Sequence, residues 1–146
     1  MIHELIAIYK RDLTKLKKEL KSFRLEENLW ITTGSITNPA GNLALHLTGN
    51  LNHFIGHHLG NTGYVRDRDS EFGAKNIPVI KLITGIDDVS EVIEQTLRNL
   101  SKTDLSAPYP EEVFGYEMTT SFMLLHLSSH LTYHLGQINY IRRILD

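Results

Sequence analysis

Apolar residues at Ile2, Leu5, Ile6, Tyr9, Leu13, Leu16, Leu20 and Phe23 recur at intervals of three and four. That spacing puts them on one face of a first helix. The next segment, WITTGSITNPAGN, is rich in turn residues, and Asn38 followed by Pro39 suits an N-cap with proline at the first helical position. A second helix is predicted through AGNLALHLTGNLNHFIGHHLG, across two interior glycines, and NTGYVRDRDSEFGAKNIPVI then lacks a sustained period and reads as a long loop. The period returns at Val89, Val92, Ile93, Leu97 and Leu100, a third helix opened by Asp88 and Glu91 as a capping box. Two prolines and a glycine interrupt SAPYPEEVFGYEM, which is expected to hold a short extended turn. A long fourth helix follows from Thr119 and Thr120, its possible caps, to the end of the chain. Four helices joined by irregular connections predict an all-α four-helix bundle, a single domain over residues 1–146.

Composition narrows the chemistry. With 146 residues and 41% hydrophobic content, one core can form without staples. There is no cysteine, which excludes disulfides, thiolate metal sites and a cysteine nucleophile, so any metal must take nitrogen or oxygen ligands. The N-terminal MIHELIAIYKRDL mixes charge with apolar residues as an amphipathic helix does, unlike a secretory segment, and no apolar run reaches the roughly 20 residues of a membrane span. A cytoplasmic protein with no membrane partner is expected. The net charge is -2, from 15 basic and 17 acidic side chains, and the basic KLKKELK is interrupted by Glu19 as a solvated helix face would be. No nucleic-acid binding is expected, because no cluster of Lys and Arg could neutralise several phosphates.

Eight histidines are unevenly placed. In the fourth helix His126, His130, His134 and Gln137 fall within about 40° of His130, at the edge of an apolar arc formed by Leu124, Leu127, Leu131, Leu135 and Ile138. In the second helix His46, Asn50, His53 and His57 keep within about 60° of one another, beside Leu43, Leu47, Leu51 and Phe54. Imidazole is the commonest side-chain ligand of Zn, Ni, Fe and Cu, and bundle sites are built from inward side chains of facing helices. The spacing leaves two readings open, a metal pocket between the stripes or ordinary surface and hydrogen-bonded histidines.

At HLTYHLGQINYIRR, with NLALHLTGNL and RDRDSEF before it, the sequence resembles the DinB/YfiT-like superfamily of four-helix metalloproteins over nearly its whole length. The sharpest parts are the H-x-x-x-H-x-G-Q pattern of His130, His134, Gly136 and Gln137 and the single His46 of the second helix. The resemblance implies one divalent metal, Zn or Ni, held by His46, His130 and His134, with His126, His53 and His57 outside the ligand set. It also implies a small-molecule substrate, a reaction such as transfer of a low-molecular-weight thiol or metal-dependent hydrolysis, and a homodimer. The thiol would come from a diffusible cofactor, since the chain has none. Gln137 and Asn50, each one turn beyond a ligand, are candidates to orient a ligand or a water, or are simply polar residues at a helix edge. Trp30 is expected as a core anchor in preference to a pocket wall. In RDRDSEF, the charges Arg66, Asp67, Arg68, Asp69 and Glu71 are expected to form a structural ion pair in preference to an anion clamp. No glutamate accompanies the histidines as in H-E-x-x-H, so the residues name no general base. The alternative function is therefore a non-catalytic metal-binding or small-ligand sensor module.

Overall fold

A computed structural model describes all of residues 1–146. The chain is all-helical: α1 (Ile2–Lys21), α2 (Ala40–Leu51), α3 (Arg68–Gly73), α4 (Val79–Arg98), α5 (Lys102–Ser106) and α6 (Thr120–Leu145). A 3₁₀ turn at Glu26–Trp30 precedes α2, and a π-helical turn at Asn52–His57 prolongs it. The apolar period of α1 is realised as a buried face of Leu5, Ile6, Tyr9, Leu13, Leu16 and Leu20. This face packs on α4 and α6, while α2 packs on α6, α4 and the short α3. The buried apolar side chains form one contiguous cluster of 31 residues. Within it the Tyr9 hydroxyl donates to the Leu124 carbonyl at 2.6 Å, tying α1 to α6 through a satisfied polar tip. No helix is long and apolar enough to cross a membrane.

Three sequence expectations require correction. The stretch after the second helix contains α3, capped by the Asp67 carboxylate, which accepts from the Ser70 N–H; six residues are too few to leave a periodic signature. The third expected helix begins at Val79, with Pro78 at its N-cap, so Asp88 and Glu91 lie on its exposed face and form no capping box. Leu82, Ile83 and Ile86 carry the buried period upstream of Val89, and Pro78 supplies the start. The N-cap of α2 is Pro39, one residue after the expected Asn38. Thr119 does cap α6, accepting from the Phe122 N–H, and the extended turn is the isolated bridge between Pro108 and Thr119.

Asp12 is buried on the inner side of α1, where Arg11 binds its carboxylate at 2.7 Å and the Thr132 hydroxyl donates at 2.8 Å from α6. Burial alone would raise its pKa, but the bonds from Arg11 and Thr132 win and hold it below the ordinary carboxylate value. A depressed carboxylate stabilises the fold above its unfolded pKa, and that stability is lost as pH falls through the folded value. Asp12→Asn is expected to be less stable than the native chain by about 1–3 kcal/mol at pH 7. The gap narrows below about pH 4. Urea midpoints at pH 7 and pH 3 check this, and an equal deficit at both would refute it.

Candidate metal centre

Packing of α2 on α6 brings His46 up to His130 and His134. The four-residue spacing on α6 already stacks His130 and His134 on one side, and the helix contact adds the third imidazole. His46 Nε2 lies 3.2 Å from His130 Nε2, which is 3.1 Å from His134 Nε2. The His134 ring stands at 88° to His130 and 89° to His46, so the three rings present edges to a common point.

The outer nitrogens decide what those edges carry. His46 Nδ1 lies 3.1 Å from Glu71 Oε1, and a carboxylate can only accept, so the proton sits on Nδ1 and the Nε2 lone pair faces His130. Arg66 Nη2 also approaches His46 Nδ1, at 3.4 Å, but a guanidinium cannot bond a nitrogen that is itself protonated; the shorter carboxylate contact sets the tautomer. His134 Nδ1 is likewise occupied, donating to Gln137 Oε1 at 2.7 Å, which turns the His134 Nε2 lone pair inward. One proton on His130 Nε2 could satisfy only one of these two lone pairs, and His130 Nδ1 is buried without a protein partner. Convergent lone pairs, carboxylate and amide acceptors behind two of the three rings, and neutral imidazoles are the donor set a divalent first-row ion requires. For His130 and His134 neutrality follows from the surroundings. Burial, then the charges of His134, His46, His126 and Arg66, push the His130 pKa down to about 3. Burial lowers that of His134 as well, against the opposing Gln137 bond. The triad could hold a metal ion.

Glu71 is the residue that reasoning from sequence missed. Its expected ion pair exists, with Arg66 Nε on Oε2 and Nη2 on Oε1, both at 2.9 Å, but the same carboxylate also reaches His46. It is buried, and the bonds from His46 and Arg66 outweigh desolvation to keep its pKa below the usual range. Its approach depends on Gly49 of α2, where a Cβ would lie 2.6 Å from the Glu71 carboxyl carbon. The neighbouring RDRDSEF residues do other work: Arg68 stacks over Phe72, Asp67 caps α3, and Asp69 is exposed. The only sequence signal for Glu71 is its proximity to Arg66, which is common to many surface loops.

The remaining candidates separate cleanly. Gln137 orients His134, whereas Asn50 is buried with its Oδ1 unpartnered and bonds none of the three histidines. His126 stacks at 6.3 Å on the outer side of His130 and meets Phe114 at 4.7 Å. His53 and His57 lie beyond α2 in the π turn. Trp30 is partly buried against the core, its ring filling the space above Gly41, where a Cβ would come within 2.8 Å. A cavity of about 490 Å³ opens beside His134 and Gln137, walled by Leu43, Tyr133, Tyr140 and Ile141, with Ser35 and Asn38 as polar rim.

A search of the curated proteins finds no match. The sequence matches a family described as "Protein of unknown function (DUF1572)" over residues 3–146. Covering nearly every residue that builds the fold and all three histidines, that match makes the chain a member of the DUF1572 family.

Proposed function

We propose that this chain is a metalloprotein of the DinB/YfiT-like four-helix type in which His46, His130 and His134 hold one divalent ion, Zn or Ni, and which acts on a small molecule. The observation that carries the reading is the gathering of three imidazole nitrogens within 4.8 Å of one another, His130 Nε2 lying 3.2 Å from His46 Nε2 and 3.1 Å from His134 Nε2, with the outer nitrogens of His46 and His134 fixed by Glu71 and Gln137. When bound, such an ion supplies Lewis acidity and lowers the pKa of a coordinated water or thiol. The chain's own residues do the rest. Glu71 and Gln137 hold ring orientation, the bonds from His46 and Arg66 keep Glu71 ionised against its burial, and burial keeps His130 unprotonated and able to bind in the neutral range. The adjacent cavity suits a substrate with an apolar body against Leu43, Ile141 and the tyrosines and a polar group toward Ser35 and Asn38. Transfer of a low-molecular-weight thiol, or hydrolysis, is the chemistry proposed for it.

One observation favours the second reading, a non-catalytic metal or ligand sensor: both Glu71 oxygens are engaged by Arg66 and His46, so this carboxylate is not a free base. Elemental analysis of protein purified without a histidine tag tests the metal. A screen of thiol and electrophile pairs with and without chelator then separates the two readings. Protein that carries no ion and takes up neither Zn²⁺ nor Ni²⁺ sinks the metalloenzyme and the metal sensor, and leaves only the metal-free ligand module; metal without chelator-sensitive turnover supports the sensor.

The homodimer belongs to the same proposal. Phe122, Tyr133 and Tyr140 are exposed on α6 and lie within about 20° of one another around its axis, an apolar stripe for a second copy to cover. Sedimentation showing only monomer at tens of micromolar would overturn it.

A further inference from the structure

The π turn after α2 creates a second cluster that the triad does not use. Residues 53 and 58 are five apart, and on a regular α-helix they would point about 140° away from each other. The wider turn, closed by the His58 N–H to His53 carbonyl bond at 3.2 Å, brings them together instead, with ring centroids 4.8 Å apart. Both rings direct Nε2 at one atom, Glu111 Oε2, at 2.8 Å from His58 and 3.5 Å from His53.

Glu111 is delivered by the connection between α5 and α6, and that connection is anchored. The Tyr109 N–H donates to the Met118 carbonyl at 2.8 Å, the Thr120 N–H to the Ala107 carbonyl at 2.9 Å, and the buried Tyr109 hydroxyl to the Phe54 carbonyl of the π turn at 2.6 Å. The carboxylate is therefore held at the histidines by the backbone around it as well as by its own charge. Ligand atoms about 2.1 Å from a first-row ion lie roughly 3.0–3.5 Å from one another, close to the two separations seen. The side chains of His53 and His58 are 24% and 19% exposed and that of Glu111 45%, so an ion can enter and keep water ligands.

We propose that His53, His58 and Glu111 form a second, solvent-facing site for a divalent transition-metal ion, which clips the α5–α6 connection to the π turn. His53 is seven residues beyond His46, about 10 Å along the helix axis, too far for the two ions to act as one binuclear centre. The site's effect on the triad runs through the connection: Phe114, on that segment, meets His126, which stacks on His130. The second ion thus steadies the segment that covers the outer side of the triad. The proposal rests on its own ligands and stands or falls separately from the triad reading.

The test is Ni²⁺ and Co²⁺ binding by the full-length, tag-free chain, measured by equilibrium dialysis and by the visible absorption of Co²⁺. The native chain is expected to take up two equivalents, the weaker of which is lost in His58→Ala and in Glu111→Gln, while the tighter is lost in His130→Ala, His134→Ala. In the latter variant, Co²⁺ is expected to slow chymotryptic cleavage at Phe114 and Tyr116, and Glu111→Gln is expected to abolish that protection. One equivalent that survives His58→Ala and Glu111→Gln overturns the second site alone. One equivalent that is lost in those variants, but kept when His130 and His134 are replaced, overturns the triad alone. Far-ultraviolet circular dichroism identical to that of the native chain establishes that each variant is folded.

Discussion

Replacing His130 and His134 together with alanine is expected to abolish tight metal binding, because two of three converging Nε2 donors disappear and His46 alone cannot retain an ion against water. His126→Ala and His3→Ala leave the tight site intact, since the first stacks outside the triad and the second lies at the start of α1. The change also reads out in stability. An ion that binds only the folded state at a thousand times its Kd adds about 4 kcal/mol. The native chain should therefore melt at markedly higher temperature with Zn²⁺ or Ni²⁺ than with chelator, and the double variant should lose most of that difference. Near-full metal content in the double variant would refute the ligand assignment.

Glu71→Ala is expected to combine a large loss of stability with a loss of metal affinity. It strips Arg66, whose side chain is only 14% exposed, of both its hydrogen bonds to carboxylate, and breaking a buried pair from one side costs about 3–5 kcal/mol. It also removes the acceptor that fixes the His46 tautomer, for which a fall of about 10- to 100-fold in metal affinity is expected. The companion Arg66→Met, Glu71→Ala recovers part of the stability, because no unpaired charge remains, but does not recover the affinity. Gly49→Ala separates the geometry from the charge. In an ordinary helix interior alanine is favoured over glycine by about 1 kcal/mol. Here the new methyl would occupy the space of the Glu71 carboxyl group, so the substitution is expected to destabilise the fold and weaken metal binding together. Denaturant unfolding of the apo proteins and competition titration with a chelating dye measure the two effects. Gly49→Ala with native affinity would show that Glu71 does not need its present position.

Local pattern determined much of this protein. The three-and-four spacing of Leu5, Tyr9, Leu13 and Leu16, or of Leu124, Leu127, Leu131 and Leu135, is an intrinsic property of the chain, and it specifies a helix and its buried face without reference to the other elements. The same geometry places His130 above His134 and Gln137 beside them, so half of the candidate site was legible from α6 alone. The identity of the third histidine was not. Periodicity puts His46, Asn50, His53 and His57 on neighbouring parts of one face with nothing to choose among them, and the resemblance of NLALHLTGNL singled out His46 before any contact was known.

Tertiary packing decided the remainder. The contact between α2 and α6 selects His46, and the π turn carries His53 and His58 to a different partner. Glu71 joins the site from a six-residue helix, 25 positions away from His46, because Gly49 leaves room for its carboxylate. A segment that short has no period to read, and a glycine inside a helix looks like a weakness until the side chain above it is known. Sequence records which face of each helix is apolar. Which faces meet, and which charge is buried between them, is settled only by the long-range packing that brings distant residues within reach of one another.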